Sequence, residues 1–199
     1  MLTLDRPQSA ADAQATQVRL AAARIPCAFV GGGTAPQLSW GEPTPAVHLI
    51  EVAELPEANG IAWVDGQLRI GAAVRLESLR RDPDVQRCAP LLAQACSTLA
   101  ALSVRHLGTL GGNVGWGFGD CLPALLVMDA DAELADGRLS PLCDVLAHDT
   151  PLPLLVALRV DAERHALNSD GLRFQEKVGL RAAFSPARIN LALPPTRVL

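Results

Sequence analysis

Ten residues, Val104 to Asn113 (VRHLGTLGGN), constrain this chain more than any other stretch. Gly108, Gly111, Gly112 and Asn113 fall within them. Gly and Asn tolerate positive φ, so a Gly-Gly-Asn turn can aim successive backbone N–H groups at one point. Such a concave row of donors suits a phosphate. A second cluster lies upstream in FVGGGTAP, with Gly31, Gly32, Gly33 and Thr34 after an apolar stretch that reads as a strand. A single glycine turn is ordinarily a chain reversal. Two of them, each with a threonine (Thr34 and Thr109), suggest a clamp that holds a diphosphate from two sides.

Neither cluster fits the commoner phosphate motifs. A P-loop ends in Gly-Lys-Ser/Thr, and the chain contains no Gly-Lys. Gly115-Trp116-Gly117-Phe118-Gly119 approaches the dinucleotide fingerprint, but its spacing is wrong and no strand–helix unit surrounds it. The net charge of −4, with no basic run, argues against nucleic acid as a partner. Five scattered cysteines without C-x-x-C spacing argue against a disulfide framework, a zinc site or an iron–sulfur cluster in this chain. They read as small buried hydrophobes in a reducing compartment. The first residues lack a signal-peptide pattern and no apolar run approaches a membrane span, so a cytoplasmic location is expected.

Ser9 to Arg24 reads as an Ala-rich helix capped by Ser9. Strands are expected at Cys27–Val30 and His48–Val52, completing a small β-α-β type unit. Asp65-Gly66 and Asp136-Gly137 are hairpin signals. Arg75–Arg81 reads as a short helix. Pro90–Leu102 and Asp120–Met128 read as buried helices, the second with Asp120 at its N-cap. Leu154–Val160, Leu172–Val178 and Ile189–Leu193 read as strands. Short strands with segregated helices indicate the α+β class. The expected organisation is a small α/β subdomain over 1–55, a larger α+β subdomain over 56–185 and a terminal piece over 186–199.

The order of these pieces resembles the FAD-binding (medium) subunits of the molybdenum hydroxylases, the carbon monoxide dehydrogenase and xanthine dehydrogenase-like enzymes. The matching segments are Val30–Thr34, His48–Val52, Ile70–Ala72, Val104–Asn113 and Asp120–Ala130, continuing through Leu154–Val160 and Phe174–Arg181. The resemblance implies the two-part FAD-binding fold of the vanillyl-alcohol-oxidase type. It also implies an electron-transfer role in which FAD accepts electrons from [2Fe–2S] clusters on a small subunit. A large subunit would carry the molybdenum cofactor and hydroxylate the substrate.

By the same resemblance Gly31, Gly32, Gly33, Thr34 and Ala35 form the first pyrophosphate turn, fed by Phe29 and Val30. Thr109, Gly111, Gly112 and Asn113 form the second, with Leu107 and Gly108 packing near the flavin. Asp120 binds polar groups of the FAD, Leu154 and Leu155 line its pocket, and Lys177 reaches it. Plainer readings stand beside these. Asp120 serves equally well as a helix cap, Leu154 and Leu155 would be buried in any fold, and a lysine such as Lys177 is ordinarily solvated. Arg105 reads as an anchor of the loop, and His106 as structural.

Three departures from the family pattern stand out. Ala35 replaces a polar residue beside the phosphates, a loss of about 1 kcal/mol for one hydrogen bond. The loop from Asn113 to Asp120 is shorter than usual and carries Trp116 and Phe118, which either stack on the flavin or pack elsewhere. The chain ends at Leu199, so most of the family's C-terminal domain is expected to be absent. The competing expectation is a structural subunit of the same complex that has lost its FAD.

Overall fold

The computed structural model describes residues 3–35, 48–147, 153–161, 172–179 and 187–196. Its first layer is a three-stranded parallel sheet in the order β1-β3-β2, from β1 (Thr3–Asp5), β2 (Cys27–Val30) and β3 (His48–Glu51). The helix Ala10–Ala22 carries the chain from β1 to β2. Ser9 caps it as the sequence suggests, its Oγ accepting from the Asp12 N–H at 3.1 Å. β1 has no counterpart in the sequence reading. It is three residues long, too short for an alternation to register.

The second layer is a five-stranded antiparallel sheet in the order β4-β5-β8-β6-β7. Its strands are β4 (Ile61–Val64), β5 (Gln67–Gly71), β6 (Asp131–Leu134), β7 (Leu139–Pro141) and β8 (Leu155–Asp161). Asp65-Gly66 closes the β4–β5 hairpin with both residues at positive φ, as their identities require. Period-2 alternation sets the faces. Leu68, Ile70, Ala132, Leu134, Leu158 and Val160 are buried on one side. On the other, Glu133 accepts from Arg69 at 3.0 and 3.1 Å and from Arg159 at 3.0 and 3.1 Å. Arg69 above all, then Arg159, holds the Glu133 carboxyl below its ordinary range against the opposing effect of burial.

Short helices cover the buried face: Leu76–Arg81, Pro83–Cys88, Pro90–Thr98, Leu122–Val127 and Leu142–Leu146. Leu79, Val85, Leu92, Leu125 and Met128 join the sheet residues in the main apolar cluster. A smaller cluster lies under the parallel sheet, where Ala13, Leu20, Ile50 and Leu55 meet Ala73, Leu154 and Val156 from the other layer. A last hairpin, β9 (Leu172–Gly179) with β10 (Ala187–Thr196), pairs antiparallel across the expected 185/186 boundary.

Two helices differ from expectation. The helix beginning at Pro90 ends at Thr98, not Leu102; Ala100 turns the chain at φ +45° and a separate helix, Leu102–Leu107, follows. The helix expected from Asp120 starts at Leu122 with Cys121 at its N-cap and no side-chain cap, because the Asp120 carboxylate is engaged elsewhere. Asp82 caps Pro83–Cys88 by accepting from the Asp84 and Val85 N–H groups, an Asp-Pro start legible in the sequence but not read there. Of the five cysteines, Cys88, Cys96 and Cys121 are buried and Cys27 is half-buried, but Cys143 is exposed. Among the described residues no helix is long and apolar enough to cross a membrane.

Candidate functional site

β2 delivers the chain to Gly31 at the end of the parallel sheet, where Val30 pairs with Glu51. Gly31 to Gly33 form a bend, Gly33 at φ +66°, and Thr34 and Ala35 are helical. The second glycine segment lies directly against this bend. A Cβ on Gly31 would collide with the Thr109 hydroxyl, and one on Gly32 with the Leu107 carbonyl. A Cβ on Gly108 would stand 3.4 Å from the Thr34 hydroxyl. Only residues without a side chain allow so close an approach of two backbones.

The two segments use their N–H groups differently. Among the described residues none accepts from the N–H of Gly31, Gly32, Gly33 or Thr34. In the second segment Gly108 donates to Val104, Leu110 to Val74, Gly111 to Ala72 and Asn113 to Thr109. The Thr109 hydroxyl accepts from Gly112 at 3.1 Å and so caps the helix Leu110–Gly115. The expected positive-φ turn at Gly-Gly-Asn is therefore not formed. Gly111, Gly112 and Asn113 are helical, since a threonine cap recruits the following residues into a helix. Gly111 is small for a different reason: its Cβ would stand 2.8 Å from that of Ala72. Of the N–H groups of Gly108 to Asn113, only that of Thr109 meets no acceptor among the described residues.

Arginines hold this second segment. Arg75 donates through Nη1 to the Leu107 carbonyl. Arg105 donates to the Leu99 and Ala100 carbonyls, each at 2.9 Å, and to Glu77 at 2.8 Å, which is the anchoring role its sequence position suggests. Glu77 is 2% exposed and also accepts from Arg80 and Arg81, each at 2.7 Å. Hydrogen bonds from Arg80 and Arg105, outweighing burial, hold its carboxyl far below the ordinary carboxylate range. Glu77 and Arg75 escaped the sequence reading. The Glu77-Arg80-Arg81 spacing of i, i+3 and i+4 was the available signal.

The loop after Leu110–Gly115 is pinned at both ends. Asn113 Oδ1 accepts from the Cys121 N–H at 3.0 Å. Asp120, 6% exposed, pairs with Lys177 of β9 at 2.6 Å. Lys177 is thus enclosed rather than solvated, and Asp120 is an ion-pair partner rather than a helix cap. Between the pins, Trp116 is half-exposed and Phe118 is 80% exposed. Next to the second pin, Cys121 brings its sulfur to 3.7 Å from that of Cys96; that contact and burial push the Cys121 thiol well above its ordinary value.

The remaining candidates are spread out. Phe29 and Val30 are half-buried at the end of β2, and Leu107 is half-exposed beside Gly32. Leu154 is buried in the smaller apolar cluster, Leu155 packs on the larger one, and His106 is exposed. The structure therefore brings together Gly31 to Thr34 with Leu107 to Thr109, and Asn113 with the Asp120–Lys177 pair. It places Leu154 in the core. A row of open donors beside a close backbone approach fits a diphosphate at the first segment.

Residues 3–141 match the model of the FAD binding domain in molybdopterin dehydrogenase. The chain belongs to that family. It is 35% identical over 94 residues to the xanthine dehydrogenase FAD-binding subunit of Escherichia coli O157:H7, covering 46% of this chain and 32% of that protein. It is 38% identical over 81 residues to the carbon monoxide dehydrogenase medium chain of Hydrogenophaga pseudoflava, covering 40% of this chain and 28% of that one. The chain thus aligns with less than half the length of the curated relatives it matches. Its fold is that of their solved counterparts. A carbon monoxide dehydrogenase chain from H. pseudoflava, in an enzyme lacking the Mo-pyranopterin moiety of the molybdenum cofactor, superposes with a TM-score of 0.81 at 25% identity. That match covers 96% of this chain and 68% of the other. A chain of quinoline 2-oxidoreductase from Pseudomonas putida 86 gives 0.71 at 20% identity, covering 93% and 66%.

Proposed function

We propose that this chain holds one non-covalent FAD between residues 31–35 and 107–113 and serves as the electron-transfer subunit of a molybdenum hydroxylase. The observation that carries the reading is the meeting of the two glycine segments, with the N–H groups of Gly31 to Thr34 open beside the Thr109 hydroxyl. Those donors would take the diphosphate oxygens. The Thr34 hydroxyl would add a donor from the first side and the Thr109 N–H one from the second. Asn113 keeps the 113–121 loop closed, and the Asp120–Lys177 pair presents a carboxylate and an ammonium to polar groups of the cofactor. Bound FAD supplies the redox chemistry; the chain contributes position and electrostatics.

In this reading electrons arrive from [2Fe–2S] clusters on a small partner subunit and leave to an external acceptor. Hydroxylation belongs to a large partner subunit with the molybdenum cofactor. Relatives named as FAD-binding or medium subunits of such enzymes support this assignment. The purified protein, titrated with FAD, should take up about one equivalent and turn yellow, and acid precipitation should release the colour. A protein that takes up no flavin, yet co-purifies with the two other subunits, is the structural subunit of the complex instead.

A further inference from the structure

We propose that Glu77 is a positioning residue of the cofactor site, acting through Arg105 to set the Leu107–Thr109 backbone against the first glycine segment. The inference rests on the reading of these two segments as an FAD site. The helix Leu102–Leu107, which delivers Leu107 to Gly32, contains no buried residue. Its two leucines are 48% and 53% exposed, so apolar burial does little to hold it. Six residues are also too few for a helix to be stable by itself. The helix is entered through Ala100 at φ +45°, a conformation that alanine disfavours.

Side-chain polar contacts do much of what apolar packing does elsewhere. Arg105 grips both carbonyls of the Leu99–Ala100 corner and fixes that grip on Glu77 Oε2. Arg75 holds the far end at the Leu107 carbonyl, and the Leu76 N–H donates to Gly108 at 3.0 Å. Glu77 and Leu76 share the helix Leu76–Arg81, so one rigid element grips the segment at its start and at its end. Arg80 and Arg81, from Glu77's own helix, already neutralise the buried carboxylate. Arg105 is the one arginine among Glu77's partners that comes from outside that helix, and it leads to the glycine segment.

The test compares Glu77→Gln and the milder Arg105→Lys with Leu142→Ala, a core truncation in the helix Leu142–Leu146, which packs on β6, β7 and the helix Leu122–Val127. Two readouts are taken on the full chain well below its unfolding temperature: amide hydrogen exchange and FAD affinity by titration. For Glu77→Gln and Arg105→Lys, exchange at Arg105, Gly108 and Leu110 should accelerate while β5 and β8 stay protected, and FAD should bind about tenfold more weakly. Leu142→Ala should show neither effect. Unchanged exchange at those three amides in Arg105→Lys, or unchanged FAD affinity despite accelerated exchange, overturns the inference. Acceleration spread evenly over the sheet also overturns it, since it marks a purely structural role. A wild-type chain that takes up no FAD refutes the functional reading and, with it, the role of Glu77 at a cofactor site.

Discussion

At Gly31 to Thr34 the backbone donors meet no acceptor among the described residues, and the glycines there answer to what lies beside them. At Gly108 to Asn113 nearly every donor is engaged within the fold, and the glycines answer to Ala72 and to a threonine cap. Two clusters that look alike in sequence are therefore different devices. The first keeps its donors open; the second is framework that narrows the space beside the first. Damage to the first segment should cost cofactor above all, and damage to the supports of the second should cost both cofactor and stability.

The largest effect is expected at the pin of the second segment's loop. Asp120→Ala leaves Lys177 charged and enclosed without its carboxylate. Breaking one partner of a buried pair typically costs about 3–5 kcal/mol. A chemical-denaturation midpoint that barely moves would show that the pair is a surface contact and that the second segment does not depend on it.

Gly32→Ala and Gly112→Ala test the contrast directly. At Gly32 the new Cβ meets the backbone carbonyl of Leu107, which cannot rotate away. Overpacking of that kind costs about 1–3 kcal/mol and spreads the two segments, so flavin uptake should be lost. At Gly112 the Cβ meets only the Thr109 hydroxyl, at 2.9 Å, and alanine favours the helix there. That variant should keep its stability within about 1 kcal/mol and lose part of its affinity as Thr109 shifts. Equal flavin occupancy in both variants would erase the distinction between the segments.

Acid sharpens the same comparison through Glu77. Its folded carboxyl titrates far below the ordinary value of 4.5. The stabilisation it provides is complete above that ordinary value and is lost as pH falls below it. Wild-type stability should therefore decline on acidification below about pH 4.5, and Glu77→Gln should lack that part of the decline. Parallel acid profiles for the two proteins would mean that Glu77 contributes no charge-dependent hold on the second segment.

The hairpins, the Ser9 cap and the strands from β2 onward were legible because each has a local cause: an Asp-Gly turn, a hydroxyl before a helix, an alternation. So was the meeting of the two segments, because a run of glycines such as Gly31 and Gly32 leaves room for a second stretch of chain to lie against it. The state of Gly111, Gly112 and Asn113 was not legible. Whether such residues form a turn or a helix depends on Thr109 accepting from Gly112, and on Ala72 and Val74 taking the Gly111 and Leu110 donors from afar. The Asp120–Lys177 pair was hidden for the same reason. Its members were singled out separately as cofactor contacts, and only the packing of β9 joins them. Glu77 offered a helical charge spacing, but its third partner, Arg105, lies far along the chain.

The smallest effect expected is a gain. Ala35 is the second helical residue after Gly33, half-buried beside the open donors of the first segment. Its methyl group offers nothing to a phosphate. Ala35→Asn would place an amide donor next to those N–H groups without touching the second segment. One added hydrogen bond is worth about 1 kcal/mol, or about a fivefold gain in FAD affinity. The denaturation midpoint should hardly change, because the engaged donors of the second segment are unaffected. Tighter FAD binding at constant stability would show that the first segment is the binding side and is open to improvement. A loss of stability with no gain in affinity would mean that the space beside Ala35 is already part of the framework, and the contrast between the two segments would end at Gly33.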